Sequence, residues 1–244
     1  MKVVATIEAR MTSNRLPGKP LLTAAGAPML EHLIRRLKVV PSIDEIILAT
    51  TENSTDAPLV ELAKRLGIAT FRGDEYDVMQ RVIDAATSVN ADVVVEITGD
   101  CPIIDPEIVE QTICMFKANL ADYVSNAMVR SYPDGMDTQV LRLETLKRSA
   151  AMTNDPLDRE HVTLHIRNHP ELFTYVHLVA PPEIEWPELG LTLDELSDYE
   201  LLKRIIEHFE THNPLFSCLD VVRFLRQFPE YAEINKYVVR KGNN

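Results

Sequence analysis

Apolar segments rich in β-branched residues alternate four times with amphipathic segments over the first 120 residues of the chain. Continuous apolar runs are typical of buried strands, and apolar residues spaced three and four apart are typical of helices. Because parallel strands are joined by right-handed helical crossovers, this order predicts a parallel sheet with helices on both faces. The predicted strands are Lys2–Ile7, Asp44–Thr50, Ile68–Phe71 and Ala91–Ile97, and the predicted helices are Pro28–Val39, Asp56–Leu66, Tyr76–Val89 and Pro106–Lys117.

The second half of the chain departs from this alternation. A turn signal, Tyr132-Pro133-Asp134-Gly135, lies between two strand-like stretches and indicates an antiparallel excursion. Without repeats or a linker to divide the chain, we predict a single α/β domain over residues 1–244. It would be a Rossmann-like, doubly wound and mostly parallel sheet with an inserted hairpin region at residues 125–143. Further helices are predicted at Arg159–Asn168, Asp198–His212 and Leu219–Gln227, and further strands at Phe173–Val179 and Gly190–Leu193.

The charge balance limits the classes of partner. The chain has 25 Lys and Arg against 37 Asp and Glu, a net charge of −12, which disfavours nucleic acids and anionic lipid surfaces. Its longest runs without formal charge have eleven residues, whereas a membrane helix needs about 20 apolar residues. The three cysteines have no paired spacing, which is typical of a reduced compartment. We therefore expect a cytoplasmic protein without nucleic-acid or membrane partners.

A cationic loop follows the first predicted strand. Between Ala9 and Leu30 the chain has three cations, Arg10, Arg15 and Lys19, and no acid. Open α/β sheets bind ligands beyond the carboxyl ends of their strands, and such cations suit a triphosphate, which carries about four negative charges. The loop is therefore a candidate phosphate site. A solvated surface loop, with its cations paired to distant acids, is the alternative.

Two aspartates follow predicted strands. Asp100 comes after Gly99 at the end of Ala91–Ile97, and Asp194 ends the segment Gly190–Leu193. Carboxylates at this edge suit Mg²⁺, which prefers one or two carboxylates together with phosphate oxygens and water. The alternatives are that Asp100 caps the following turn and that Asp194 is the N-cap of the next helix.

Five motifs, taken together, point to a known family. Their order resembles that of the sugar-activating cytidylyltransferases, which include the CMP-Kdo and CMP-sialic acid synthetases, and most of all the branch of spore coat polysaccharide biosynthesis protein F. The resemblance runs from residue 2 to about residue 205. The motifs are Ala9-Arg10-x-x-Ser13-x-Arg15-Leu16-Pro17-Gly18-Lys19-Pro20-Leu21, Ile97-Thr98-Gly99-Asp100-Cys101-Pro102-Ile103-Ile104-Asp105, Tyr132-Pro133-x-Gly135-Met136-Asp137-x-Gln139-Val140, Asp158-Arg159-Glu160-His161-Val162-Thr163 and Leu191-Thr192-Leu193-Asp194-Glu195-x-x-Asp198-Tyr199.

The resemblance implies a fold of the nucleotide-diphospho-sugar transferase type and a reaction. CMP would pass from CTP to a sugar acceptor (an ulosonic acid, an amino sugar or a related compound) with release of pyrophosphate, in polysaccharide or surface glycan biosynthesis. Mg²⁺ would be the cofactor, and the protein would be a homodimer, for which residues 125–143 are the candidate contact region. The site residues implied are, for the nucleotide, Ala9, Arg10, Ser13, Arg15, Gly18, Lys19, Thr98 and Gly99; for catalysis, Lys19, Arg10, Asp100 and Asp194; for the metal, Asp100 and Asp194; and for the acceptor, Asp77, Arg81, Asp137, Gln139, Arg159 and His161.

Two other functions remain open from the sequence. One is a metal-dependent glycosyltransferase that consumes a nucleotide sugar, although such enzymes commonly hold their metal with an Asp-x-Asp pair, which this sequence lacks. The other is a non-catalytic nucleotide-binding protein. Glu8, which places a carboxylate beside the phosphate loop, and His161 are the residues whose catalytic roles the motifs leave undecided.

Overall fold

A twisted central sheet organises the chain, whose residues 1–240 are described by a computed structural model. Within these residues the sheet has seven strands in the order β5-β4-β1-β6-β8-β7-β9, and β2 pairs with β3 separately. All neighbours in the large sheet are parallel except those of β8, which is antiparallel to both β6 and β7. The strands are β1 (Val3–Glu8), β2 (Thr23–Ala24), β3 (Ala27–Pro28), β4 (Glu45–Thr51), β5 (Ala69–Gly73), β6 (Val93–Thr98), β7 (Tyr123–Ser125), β8 (Gln139–Arg142) and β9 (Tyr175–His177).

Helices cover both faces of the sheet, as the alternating sequence predicts. Successive side chains of a strand point to opposite faces: Val3 and Ala5 of β1 belong to one buried core, and Val4 belongs to the other. The doubly wound α/β prediction is confirmed. The helices are α1 (Met29–Leu37), α2 (Ala57–Arg65), α3 (Val78–Ser88), α4 (Pro106–Ala118), α5 (Leu143–Ala150), α6 (Pro156–Glu160), α7 (Leu164–Asn168), α8 (Leu196–Phe209), α9 (Cys218–Gln227) and α10 (Pro229–Ala232).

The strand order reverses at β1. From β1 the chain first builds outward through β4 and β5, and it then returns to the other side of β1 to form β6. In open α/β sheets the crevice beyond the carboxyl ends at such a reversal is where ligands bind. The loops after β1 and β6, which contain Lys19 and Asp100, start at this crevice.

The predicted helix Arg159–Asn168 is wrong, because it is two short helices. Between α6 and α7 the backbone of Val162 has a φ of +36°, in the left-handed region, which ends a right-handed helix. The Val162 side chain is buried in the core beside α3. Burial of this side chain accompanies the break, and no local sequence pattern marks it.

The predicted strand Gly190–Leu193 is also wrong. Only Gly190 forms a β-bridge, to Asp134. The Leu191 amide donates to the Asp134 carbonyl at 2.7 Å, and the Leu193 amide donates to the Asp100 carbonyl at 2.8 Å. The segment therefore bonds to two different loops instead of joining a ladder, and this connects Asp194 to the loop that contains Asp100.

Residues 125–143 belong to the middle of the sheet. They begin at the end of β7, cross a long connection, and return as β8, which lies between β6 and β7. Their proposed contact with a second copy of the chain stays a prediction.

Of the helices within residues 1–240, none combines the length and the apolar character needed to cross a membrane.

Candidate active site

A cavity of about 760 Å³ opens at the crevice beyond β1 and β6. Its walls combine carboxylates with guanidinium groups, whereas one end adds apolar side chains from the region of α6 and α7. Such a mixture suits a polar ligand with both phosphate and hydroxyl groups. The ionisable lining residues are Glu8, Arg15, Glu96, Asp100, Arg130, Asp134, Asp137, Glu160, His161, Arg167, Asp194 and Arg240.

Lys19 joins the two aspartates that the sequence places at strand ends. Its Nζ lies 3.2 Å from Oδ2 of Asp100 and 3.0 Å from Oδ1 of Asp194. Burial lowers the pKa of Lys19, but the charges of both aspartates outweigh this and raise the pKa above its ordinary value. Burial likewise opposes ionisation of Asp100, yet Lys19 holds the pKa of this carboxyl below its usual range. Lys19 and Asp100 are therefore both ionised at neutral pH.

Arg15 is the second cation of the loop at this point. Its Nη2 lies 2.8 Å from Oδ1 of Asp194, so the same carboxylate oxygen contacts both Arg15 and Lys19. The alternative of a solvated loop with distant ion pairs is therefore wrong for Arg15 and Lys19, because the acids with which they pair, Asp100 and Asp194, line the cavity.

The loop after β1 is shaped by a left-handed glycine. Gly18 has a φ of +74°, and its amide donates to the Met11 carbonyl at 2.9 Å, which closes the loop on itself. Lys19 then starts a short 3₁₀ helix, Lys19–Leu21. The Met11 amide donates to Oδ1 of Asp56 at 2.8 Å and ties the loop to the neighbouring β4–α2 connection.

A close backbone approach places Asp100. A Cβ at Gly99 would lie 2.6 Å from the Glu8 carbonyl and 2.8 Å from Cβ of Ala9, so only glycine fits. The Gly99 amide donates to this same carbonyl at 2.9 Å. The end of β6 therefore presses against the start of the cationic loop, with Thr98 exposed toward the cavity.

Asp194 is not the N-cap of the next helix, and the Asp100 carboxylate accepts from Nζ of Lys19 and Sγ of Cys101. The N-cap of α4 is Asp105, and the N-cap of α8 is Glu195. The side chain of Asp198 accepts the amides of Asp194 and Glu195, at 3.1 and 2.8 Å. The Asp194 carboxylate is thereby left free to face Lys19 and Arg15.

Arg10 points away from the Lys19 cluster. Its Nη1 lies 3.3 Å from both Oε1 and the carbonyl oxygen of Glu75, and Oγ1 of Thr12 donates to the same Oε1 at 2.5 Å. Arg10 is not among the residues that line the cavity. Ser13, three residues further along the chain, is half-buried. The nucleotide roles of Arg10 and Ser13 therefore stay predictions.

Three of the six predicted acceptor residues line the cavity: Asp137, Gln139 and His161. Burial and the charge of Asp134 raise the pKa of Asp137 to about 6. The Gln139 amide bridges the sheet, because its Nε2 donates to Glu96 while its Oε1 accepts from Tyr123 and, at 2.6 Å, from Thr163.

The other three predicted acceptor residues lie outside the lining of the cavity. Asp77 caps α3 through the Gln80 amide, and its carboxylate forms a two-pronged ion pair with Arg159 at 2.5 and 2.9 Å. Arg81 is buried and donates to the backbone carbonyls of Ala49, Asp74 and Glu75. These contacts support the walls around the cavity, and the acceptor roles stay predictions.

Glu8 and Glu96 form a pair that the motifs do not single out. They lie on the neighbouring strands β1 and β6, two positions apart in the register. Burial and the charge of Glu96 raise the pKa of Glu8 well above its usual range, and burial raises the pKa of Glu96 to about 7. Among the described residues, neither carboxylate oxygen of Glu8 has a hydrogen-bond donor. The raised pKa values favour the protonated form of each carboxyl group, which carries a hydroxyl donor of its own.

A signal for Glu96 was present in the sequence, since a charged residue inside the run Val-Val-Val-Glu-Ile is out of place in a buried strand. Arg130, Asp134, Arg167 and Arg240 also line the cavity. They lie in loops, near a helix end or after the last helix, where periodicity carries no information about neighbours.

Asp100 and Asp194 are the side chains that suit a metal ion. Among residues 1–240 no three His, Cys, Asp or Glu side chains are arranged to hold a metal by themselves. The two carboxylates do converge on one cation, the Lys19 ammonium. A pair of carboxylates completed by phosphate oxygens and water fits Mg²⁺.

Comparison with known proteins identifies the family of this chain. The cytidylyltransferase family matches residues 4–219. An uncharacterized protein of Methanocaldococcus jannaschii is 33% identical over 242 residues, 99% of this chain and 98% of the relative. Spore coat polysaccharide biosynthesis protein SpsF of Bacillus subtilis is 30% identical, covering 94% and 96%. The structure of a cytidylyltransferase from Leptospira borgpetersenii superposes with a TM-score of 0.91 at 32% identity, covering 98% of this chain and all of that one. The chain belongs to the cytidylyltransferase family.

Proposed function

We propose that this cytidylyltransferase transfers CMP from CTP to a hydroxyl group of a sugar-type acceptor, with Mg²⁺ as cofactor and pyrophosphate as the leaving group. The observation that carries the proposal is the convergence of Lys19 on Asp100 and Asp194, the two aspartates that line one end of the polar cavity, although Lys19 itself is not a lining residue. The members of this set combine a cation for phosphate with two carboxylates for a metal ion.

Transfer of CMP does not require a covalent bond between the protein and either reactant. The oxygen of an acceptor hydroxyl attacks the α-phosphorus of CTP, a new P–O bond forms, the bond to pyrophosphate breaks, and the hydroxyl proton passes to water. Catalysis then consists of holding two anionic or polar reactants in line and neutralising the charge that develops. Lys19 and Arg15, both in the loop after β1, would bind the phosphates.

Asp100 and Asp194 would hold the Mg²⁺, which when bound neutralises phosphate charge and draws electron density from the oxygen atoms it contacts. Lys19 would bind the leaving pyrophosphate. Because the Lys19 ammonium is fixed before the reaction, its stabilisation of this charge needs little reorganisation.

The opposite end of the cavity would take the acceptor. Gln139, Asp137 and His161 offer hydrogen-bond acceptors and donors there, and Met128, Leu157 and Leu164 provide apolar walls for the faces of a sugar ring. We also propose that the reaction takes place in the cytoplasm, in surface glycan biosynthesis, by a homodimer.

Release of pyrophosphate by the purified protein tests this function. Mg²⁺ and each of the four nucleoside triphosphates are supplied with a panel of ulosonic acids, amino sugars and neutral sugars. We expect release with CTP and one acceptor class, and its loss with EDTA or in the Asp100→Asn variant.

The matched control is Asp92→Asn, which removes a carboxylate near the opposite, amino-terminal end of β6 and should leave turnover unchanged. Turnover that persists in EDTA would refute the metal role. Binding of CTP without release for any acceptor would favour a nucleotide-binding protein. Release with a non-sugar alcohol such as glycerol, added to the panel as a reference, but with none of the sugars would refute the acceptor class.

A further inference from the structure

Asp198 connects the carboxy-terminal part of the chain to the loop that carries Asp194. Its side chain is fully buried. One carboxylate oxygen accepts the backbone amides of Asp194 and Glu195. The other accepts Nδ2 of Asn235 at 2.7 Å and Nη2 of Arg240 at 2.9 Å. The backbone position of Asp194 thus depends on a carboxylate that residues 235–240 hold from behind.

Arg240 contacts three side chains in this region. Besides Asp198, its guanidinium donates to Oγ1 of Thr192, two residues before Asp194, and its Nε lies 3.6 Å from Oδ2 of Asp134. The side chain is only 9% exposed. A planar guanidinium with several fixed donors holds three partners at once, which an ammonium group cannot do with the same geometry.

The backbone of residues 235–240 also reaches the cationic loop. The Val239 carbonyl accepts Nη1 of Arg15 at 3.1 Å, while Nη2 of Arg15 contacts the Asp194 carboxylate. Arg15 therefore receives one contact from this segment and one from the aspartate that the segment holds in place.

The absence of a side chain at Gly190 leaves space for the Arg240 guanidinium. A Cβ at Gly190 would fall inside the guanidinium of Arg240, and the nearest atoms all belong to that side chain. The Gly190 carbonyl also accepts Nδ2 of Asn235 at 2.9 Å. A larger residue at position 190 would therefore collide with Arg240 in its present position.

We infer that residues 235–240 form a clamp that positions Asp194 for the metal–nucleotide complex, and that Arg240 is the positioning residue of this clamp. The inference rests on the proposed metal role of Asp194. Arg240 acts through Asp198 and Thr192, and so its loss should weaken binding of the metal–nucleotide complex more than binding of the nucleotide alone.

The test measures binding and needs neither acceptor nor turnover. Mn²⁺ with CTP is titrated with the full chain by water-proton relaxation, and CTP in EDTA is titrated by calorimetry. For Arg240→Ala we expect the affinity for Mn²⁺·CTP to fall about 10–100-fold, as for other groups that orient metal ligands. The affinity for CTP in EDTA should change less than about twofold.

Two variants serve as references. Arg240→Lys should restore part of the lost affinity, since it keeps the charge but not the three-way geometry. Lys236→Ala removes an exposed cation of the same segment that pairs with the exposed Glu233, and this variant should bind Mn²⁺·CTP like the parent.

A double substitution tests the packing contact. Gly190→Ala should mimic Arg240→Ala in the parent chain, because the new methyl group displaces the guanidinium. Added to Arg240→Ala it should change the affinity for Mn²⁺·CTP by less than about twofold, since the space is then empty.

The possible failures are distinguishable. A parent protein that binds no Mn²⁺·CTP would refute the proposed metal role and the clamp with it. Unchanged Mn²⁺·CTP affinity in Arg240→Ala, or an equal loss of CTP affinity in EDTA, would refute the clamp alone. Fully additive losses of Mn²⁺·CTP affinity from Gly190→Ala and Arg240→Ala would also refute the clamp.

Discussion

Replacement of Glu96 by Gln should change how the stability of this protein depends on pH. Burial raises the pKa of Glu96 from an ordinary value of 4.5 to about 7. A carboxyl group whose pKa is higher in the folded protein favours folding below its unfolded pKa, and this contribution is lost as the pH rises through the folded pKa. In the parent the loss therefore falls between about pH 4.5 and pH 7.

The size of the effect follows from that shift. Each unit of pKa difference corresponds to about 1.4 kcal/mol, so a change from 4.5 to about 7 amounts to about 3 kcal/mol of unfolding free energy. In Glu96→Gln the amide cannot ionise. Its carbonyl oxygen still accepts the Gln139 amide, while its NH₂ group offers a donor to the carboxylate oxygens of Glu8, which have none among residues 1–240.

The assay is urea unfolding at pH steps from 5 to 8.5, followed by circular dichroism. The unfolding free energy of Glu96→Gln, relative to the parent, should increase by about 2 to 3 kcal/mol across this range, since part of the change lies below pH 5. Glu61→Gln, at an exposed position of α2, makes the same change in net charge and should follow the parent. A constant difference between Glu96→Gln and the parent at every pH would refute the reasoning, because it would mean that Glu96 ionises in the folded protein as it does in the unfolded chain.

Three further predictions concern named contacts. Lys19→Met should lower pyrophosphate release about 10²–10³-fold, measured under saturating CTP, while its thermal midpoint stays near that of the parent; equal turnover would remove Lys19 from the mechanism. Gly99→Ala should be destabilised and should lose CTP affinity, since its Cβ would lie 2.6 Å from the Glu8 carbonyl; a calorimetric titration like that of the parent would contradict this. Asp77→Ala removes the N-cap of α3 and the partner of Arg159 and should cost about 1 kcal/mol or more in urea unfolding, whereas Asp77→Asn should keep the cap and lose less.

Much of the fold could be predicted from local patterns. The strands around β1 are continuous apolar runs, and the helices between them have one apolar face, so their order alone specifies the doubly wound sheet. The predicted helix at Arg159–Asn168 failed because its break depends on where the Val162 side chain is buried. The predicted strand at Gly190–Leu193 failed because its amides bond to two separate loops. Both outcomes are decided by tertiary contacts.

The same distinction applies to the site. Lys19 and Asp100 each follow a strand that ends at one sheet edge, and so their meeting could be expected from topology. The orientation of Arg10 depends on Glu75, which lies 65 residues away, and the location of Arg240 depends on contacts with Asp198 and Thr192. Whether such side chains lie in the site depends on contacts between distant residues, which the spacing of residues in the sequence does not predict.

The charges around Asp194 bear on how nucleotide and metal would bind together. Without a nucleotide, the carboxylates of Asp100 and Asp194 are already neutralised by Lys19 and Arg15. A triphosphate brings about four negative charges and competes for these cations, while each carboxylate released by a cation becomes available to a divalent metal ion. Nucleotide and metal should therefore bind with positive coupling, since each occupies the partners that the other sets free. The same exchange would make cations at this position compatible with a metal site, because Lys19 and Arg15 keep the two carboxylates close together before a nucleotide binds.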